Sequence, residues 1–155
     1  MGVEIERKFL VVGDAWREHV ISEASIRQGY LASSPELTVR VRLADGRAWL
    51  NIKGATVGIS RREYEYEIPP ADAEEMLDSL ARGAVIDKIR YKVRCGDHVW
   101  DLDLFRGENL GLVLAEIELA DEQESFERPE WAGREVSSDA RYYNANLARY
   151  PYGNW

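Results

Sequence analysis

Cysteine occurs once in the 155 residues, as Cys95, and histidine only as His19 and His98. A single thiol excludes an intrachain disulfide framework and a thiolate zinc cluster, and two isolated imidazoles leave no pair at metal-ligand spacing. Such a chain suits a reducing cytosol. No window approaches the roughly 18 apolar residues of a membrane-spanning helix, and Glu4, Glu6, Arg7 and Lys8 stand where a secretory signal needs an apolar core. A soluble, unprocessed, cytoplasmic protein is expected. Surplus positive charge is also missing. The formal net charge is −8, which argues against nucleic acid or anionic membrane as a partner, since both need a basic surface. Any anion bound by this chain must meet cations concentrated locally.

What is present suffices for one domain over residues 1–155, burying roughly two thirds of the surface the unfolded chain exposes. No low-complexity linker and no solenoid repeat divides it. The five tryptophans read as packing and surface aromatics, because the basic face required for stacking single-stranded nucleic acid is absent. Turn and period signals then lay out the elements. Asp14 is placed to cap a short helix, and "ASIRQGYLAS" has strand character up to Ser33-Ser34-Pro35. Asp45-Gly46 lies between alternating runs as a two-residue hairpin turn. "GISRREYEYEIP" is a further strand closed by Pro69-Pro70, followed by a helix capped by Asp72 with Met76, Leu77 and Leu80 on one face. "AVIDKIRYKVRC", "HVWDLDLFRG" and "LVLAEIELA" continue as strands, and "SSDARYYNANLARY" reads as a capped helix ending before Pro151. About eight strands with three helical pieces predict an α+β fold built on a closed antiparallel barrel.

Alternation sorts each strand into an apolar and an ionic face. Glu4, Glu6 and Lys8 oppose Val3, Ile5 and Phe9; Thr38, Arg40 and Arg42 oppose Val39, Val41 and Leu43. Lys53 shares a face with Asn51, Glu63 with Glu65, Lys88 with Arg90, Asp101 with Asp103, and Glu116 with Glu118. An ordinary small barrel with its charges outward accounts for any one of these strands. It accounts less well for whole strands of a single sign, because solvated sheets intersperse both. The alternative is an inverted barrel, apolar outside beneath its helices and ionic within. So many buried ions cost several kcal/mol apiece unless they are paired or hold a ligand, which makes such a lumen a binding site. Taking Glu4, Glu6, Glu63, Glu65, Asp101, Asp103, Glu116 and Glu118 inward against Lys8, Arg40, Arg42, Lys53, Lys88 and Arg90 leaves a charge of −2. Two divalent cations would turn this to +2, suited to a compact polyanion. Carboxylates suit Mg²⁺ or Mn²⁺, and arginine forks match phosphate.

Eight ordered blocks then resemble the CYTH proteins, also called triphosphate tunnel metalloenzymes, and most closely their short bacterial members. They are the E-x-E-x-K of Glu4, Glu6 and Lys8, then "RQGYL", "TVRVR", "NIKG", "REYEYEIP", "KIRYKV", "DLDLFRGENLGLVLAEIEL" and "GREVSSDARYYNANLA". The resemblance implies an eight-stranded antiparallel tunnel with a charged lumen and helices packed outside. By position it implies metal ligation by Glu4, Glu6, Glu116 and Glu118, with Asp103 nearby. It implies a triphosphate cradle of Lys8, Arg40, Arg42, Lys53, Lys88 and Arg90, with Arg134 as a further addition. Glu63 and Glu65 are candidates for a second metal or for positioning water, and Lys53 is an alternative base. Tyr30 closes one mouth or is a plain core tyrosine. A homodimer is implied by analogy alone. The expected reaction is metal-dependent hydrolysis of a triphosphate, first of all inorganic triphosphate. Nucleoside or thiamine triphosphate hydrolysis, adenylyl cyclisation and a non-catalytic triphosphate or polyphosphate binding module are the alternatives.

Overall fold

In a computed structural model describing residues 2–155, Asp45 and Gly46 have φ of 52° and 75°. Positive φ at both positions is the two-residue turn whose twist matches the flanking strands. It joins β3 (Leu37–Ala44) to β4 (Arg47–Gly54), paired without a slip from Leu37 opposite Gly54 to Ala44 opposite Arg47. The other strands are β1 (Gly2–Val11), β2 (Val20–Ser33), β5 (Ser60–Ile68), β6 (Arg82–Cys95), β7 (His98–Arg106), β8 (Val113–Glu118) and β9 (Ala132–Glu135). The spatial order is β5-β4-β3-β2-β6-β7-β8-β1, and β1 returns to β5 to close the ring. The expected eight-stranded antiparallel barrel is thereby formed. β1 closes it by dividing its length, with Gly2–Ile5 against β5 and Glu6–Leu10 against β8.

β9 is a ninth strand, added to β1 at Phe9 and Val11 outside the closed ring. Its four residues are too few for alternation to reveal. α1 (Pro70–Ser79) starts at Pro70, not at a cap on Asp72, because the fixed φ of proline suits the first helical position. Leu80 therefore falls past the helix end and is exposed, while Ala73 and Leu77 are buried against Val41 and Ala48 on the outer face of β3 and β4. The segment after Asp14 is a 3-10 turn, Ala15–His19. Near the C-terminus, extended Tyr143 separates a 3-10 turn (Ala140–Tyr142) from the short α2 (Asn144–Arg149).

Helices cover only part of the barrel's outer apolar face. Around β1 and β6–β8 the cover comes from Trp16 and from the extended stretch carrying Phe126 and Trp131, which packs Phe9 and Trp100 into one aromatic group. α2 does something different. Tyr142, Leu147 and Ala148 pack with Tyr30, Ile86, Phe105 and Leu114. Ile86 lies opposite Gln28, Phe105 opposite Lys88 and Leu114 opposite Asp103, so these apolar residues share the lumen face with the charges. One end of the barrel thus has an apolar floor sealed by α2, where the fully buried Leu147 alone contributes about 1.5–3 kcal/mol. The polar lumen opens on the other side of that floor.

Candidate active site

Ring order places strands of one sign side by side. β7, β8, β1 and β5 are consecutive neighbours and carry Asp101, Asp103, Glu116, Glu118, Glu4, Glu6, Glu63 and Glu65. β4, β3, β2 and β6 are also consecutive and carry Lys53, Arg40, Arg42, Lys88 and Arg90. An acidic arc faces a basic one across a cavity of about 570 Å³. Lys8 of β1 and Arg61 of β5 are cations on the acidic side that also line the cavity.

Within the acidic arc, Glu6 stands opposite Glu118 and Asp101 opposite Glu116. Like charges in direct cross-strand register destabilise a sheet. Burial, then the neighbouring Glu116 and Glu4, push the Glu6 carboxyl up to about 8, and burial with Glu4 and Glu63 raises Glu118. Glu4 is ion-paired with Lys53 at 3.0 Å, and Lys53 reaches Glu63 at 3.1 Å. Burial pushes Glu116 up as well, but Lys8 and Arg90 outweigh it and hold the carboxyl down at about 2.

In the basic arc, Lys88 is fully buried, 2.7 Å from Asp103 and donating to Asn144 Oδ1 at 3.0 Å. Burial, reinforced by Arg90 and Arg42 against the pull of Asp103, lowers its ammonium to about 7. Arg90 forks onto both oxygens of Asp103 at 2.7 and 2.8 Å. Arg42 Nε donates to Gln28 Oε1 at 2.9 Å. Among the described residues, the Nε atoms of Arg40 and Arg61 are buried without a partner. Unpaired buried donors of this kind need an acceptor, and phosphate oxygens are strong ones.

The structure brings thirteen of the sequence-predicted residues to the cavity wall, and Asp103 and Arg134 are the two it does not. Asp103 is sealed behind the cradle, with both oxygens taken by Arg90 and Lys88, which hold its carboxyl far below the usual range against the opposing effect of burial. Arg134 is exposed on β9, outside the ring, with Nη2 3.5 Å from the Tyr142 hydroxyl. Tyr30 belongs to the sealed floor and also lines the cavity. Sequence reasoning missed Arg61, Gln28 and Asn144, which also line or support the lumen. Arg61 carried a usable signal, since it shares the face of Glu63 two residues on. Asn144 had none, because its place depends on how α2 docks.

The CYTH domain pattern matches residues 2–150 of this chain. The chain belongs to the CYTH family. A protein named inorganic triphosphatase from Acetivibrio thermocellus is 48% identical over 155 residues, spanning 100% of this CYTH chain and 99% of its own. Another of that name from Nitrosomonas europaea is 35% identical over 149 residues, spanning 94% and 96%. The crystal structure of the inorganic triphosphatase NE1496 superposes with a TM-score of 0.67 at 32% identity, over 96% of this chain and 95% of that one.

Membership in the CYTH family supports a divalent metal requirement. The donor chemistry of the acidic arc fits one. Its oxygens are hard ligands, and a bound cation offsets the burial and the neighbouring carboxylates that raise Glu6 and Glu118. Among the described residues no three Asp, Glu, His or Cys side chains form a ready-made cluster, so phosphate oxygens and water would complete the shell, as Mg²⁺ commonly requires.

Proposed function

We propose that the lumen binds inorganic triphosphate and hydrolyses it to diphosphate and phosphate with Mg²⁺ or Mn²⁺. The observation that carries this reading is the facing of an acidic arc and a basic arc across one cavity. A bare anion trap gains nothing from a wall of carboxylates. The activity named for the relatives at 48% and 35% identity supports the same substrate.

Arg40, Arg42, Lys53, Lys88 and Arg90 hold the phosphate chain from the basic side, and Lys8 reaches it from the acidic arc. Glu4, Glu6, Glu116 and Glu118 would hold the metal, which when bound supplies Lewis-acid neutralisation of phosphoryl oxygens. Positive charge around the substrate stabilises the diphosphate leaving group as the terminal P–O bond breaks. Glu63, beside Lys53, and Glu65, which accepts from Asn51 Nδ2 at 2.7 Å, would orient the attacking water. Lys53 already donates to both Glu4 and Glu63, which suits it to carry charge and not to accept a proton. Asp103, with both oxygens engaged, serves as a buttress for Lys88 and Arg90 and not as a ligand.

The test is phosphate release from tripolyphosphate, ATP and thiamine triphosphate with Mg²⁺ or Mn²⁺, with cyclic AMP measured in parallel. Tripolyphosphate is expected to be turned over best, and Glu4→Ala to remove the activity. Faster release from ATP or thiamine triphosphate, or cyclic AMP formation, would reassign the substrate.

A further inference from the structure

A chain of amides runs beneath the basic arc, and its orientation is forced from one end. Arginine Nε–H can only donate, so the Gln28 atom 2.9 Å from Arg42 Nε must be Oε1. That turns Gln28 Nε2 toward Asn144 at 3.1 Å, where it can only donate, so the Asn144 atom it meets must be Oδ1. Lys88 Nζ donates to the same Oδ1 at 3.0 Å and agrees with this assignment. Both Gln28 and Lys88 are fully buried, so neither can turn to water instead. Asn144 Nδ2 is left over. Among the described residues it has no hydrogen-bond partner, it is not among the buried unpaired atoms, and its residue lines the cavity.

We propose that Asn144 Nδ2 is a neutral hydrogen-bond donor to the phosphate group lodged at the α2-sealed end of the lumen, aimed there by Gln28. The inference rests on the triphosphate reading above. Lys88, bonded to this amide, and Arg42, joined to it through Gln28, supply the positive charge for a phosphate at that end, which the apolar floor closes. A neutral donor there adds an oxygen contact without adding another positive charge to the crowded arc of Arg42, Lys88 and Arg90.

The experiment compares Asn144→Asp and Asn144→Ala with wild type. Each is titrated in 0.5 M salt and Mg²⁺ with the hydrolysis-resistant imido analogue of tripolyphosphate, and its Tm is recorded alongside. N144D keeps an oxygen for Gln28 and Lys88 and so keeps the fold, but it replaces the free donor with an acceptor. High salt weakens the repulsion from the new carboxylate only in part, because the lumen is half-buried, so the uncharged N144A is read beside it. The donor role predicts that both variants bind roughly ten- to a hundredfold more weakly, the range for a hydrogen bond to a charged group. A purely structural role predicts that N144D binds within threefold of wild type, and that result overturns the proposal. If N144A does not fold, N144D decides alone. Absence of binding by wild type would instead sink the triphosphate reading itself.

Discussion

Glu6 and Glu118 face one another directly across the β1–β8 ladder, two carboxylates on one wall of the same cavity. With no cation present, burial and the neighbouring Glu4, Glu63 and Asp101 raise the Glu118 carboxyl, so its charge weakens the metal-free fold. Glu118→Gln should therefore make the metal-free protein about 0.2–1 kcal/mol more stable, while lowering Mg²⁺-dependent phosphate release at least tenfold. Urea unfolding in EDTA and a release assay measure the two effects. A variant that loses stability, or keeps full activity, would contradict the assignment.

Chelation should stop phosphate release without unfolding the barrel, because the core around Trp100 and Leu147 is independent of the lumen carboxylates. EDTA followed by Mg²⁺ or Mn²⁺, with circular dichroism alongside, checks this. Activity that survives exhaustive chelation would count against the metal.

Asp103→Ala leaves Lys88 and part of Arg90 without their buried counter-charge. The expected cost is about 3–5 kcal/mol, read as a lower denaturation midpoint, with substrate affinity weakened in the fraction that remains folded. A variant as stable as wild type but with weakened metal affinity would return Asp103 to the ligand set.

Gly83 has φ of +71°, and a Cβ there would lie 2.6 Å from the carbonyl oxygen of Ala148. Gly83→Ala carries both the left-handed backbone penalty and a clash with α2, together about 2 kcal/mol or more. Denaturation measures the loss. Enhanced amide exchange in α2 should accompany it, because a close approach between α2 and β6 is disturbed.

Cys95 is buried, with Sγ 3.4 Å from Glu127 Oε2. Burial first, then Glu127, pushes its thiol up to about 11 from an ordinary 9.0. Between those two values the native state keeps a proton that the unfolded chain has lost, so this group makes stability fall as pH rises through that interval. At pH 8 the native protein should react with an aromatic disulfide reagent far more slowly than the urea-unfolded chain. Equal rates would show an accessible thiolate.

Much of the barrel was legible because two signals in it are local. Period two assigns a face from residues side by side in the chain, and Asp45-Gly46 specifies its turn by backbone preference alone. Alternation puts Arg40, Arg42, Lys53, Glu63, Lys88 and Glu116 on the ionic face for that reason, and the cavity receives all of them. β9 escapes because four residues carry no period, and Pro70 displaces the expected Asp72 cap because a proline after a strand signals a strand stop and a helix start equally well.

The sequence by itself determined which side chains share a face, and that most strands are dominated there by one sign. Only the tertiary structure decided that the acidic strands are neighbours and the basic strands are neighbours, so that the signs form two facing arcs instead of alternating pairs. It also decided that Asp103 lies sealed behind the cradle and that α2 brings Asn144 to the end of the lumen. The reason is physical. Facing is set by the backbone of each strand, whereas neighbourhood in a closed ring depends on pairings between residues far apart in the chain, such as Gly2 with Glu63 and Glu6 with Glu118. Those pairings are selected by burial of the whole core, which no short stretch of sequence contains.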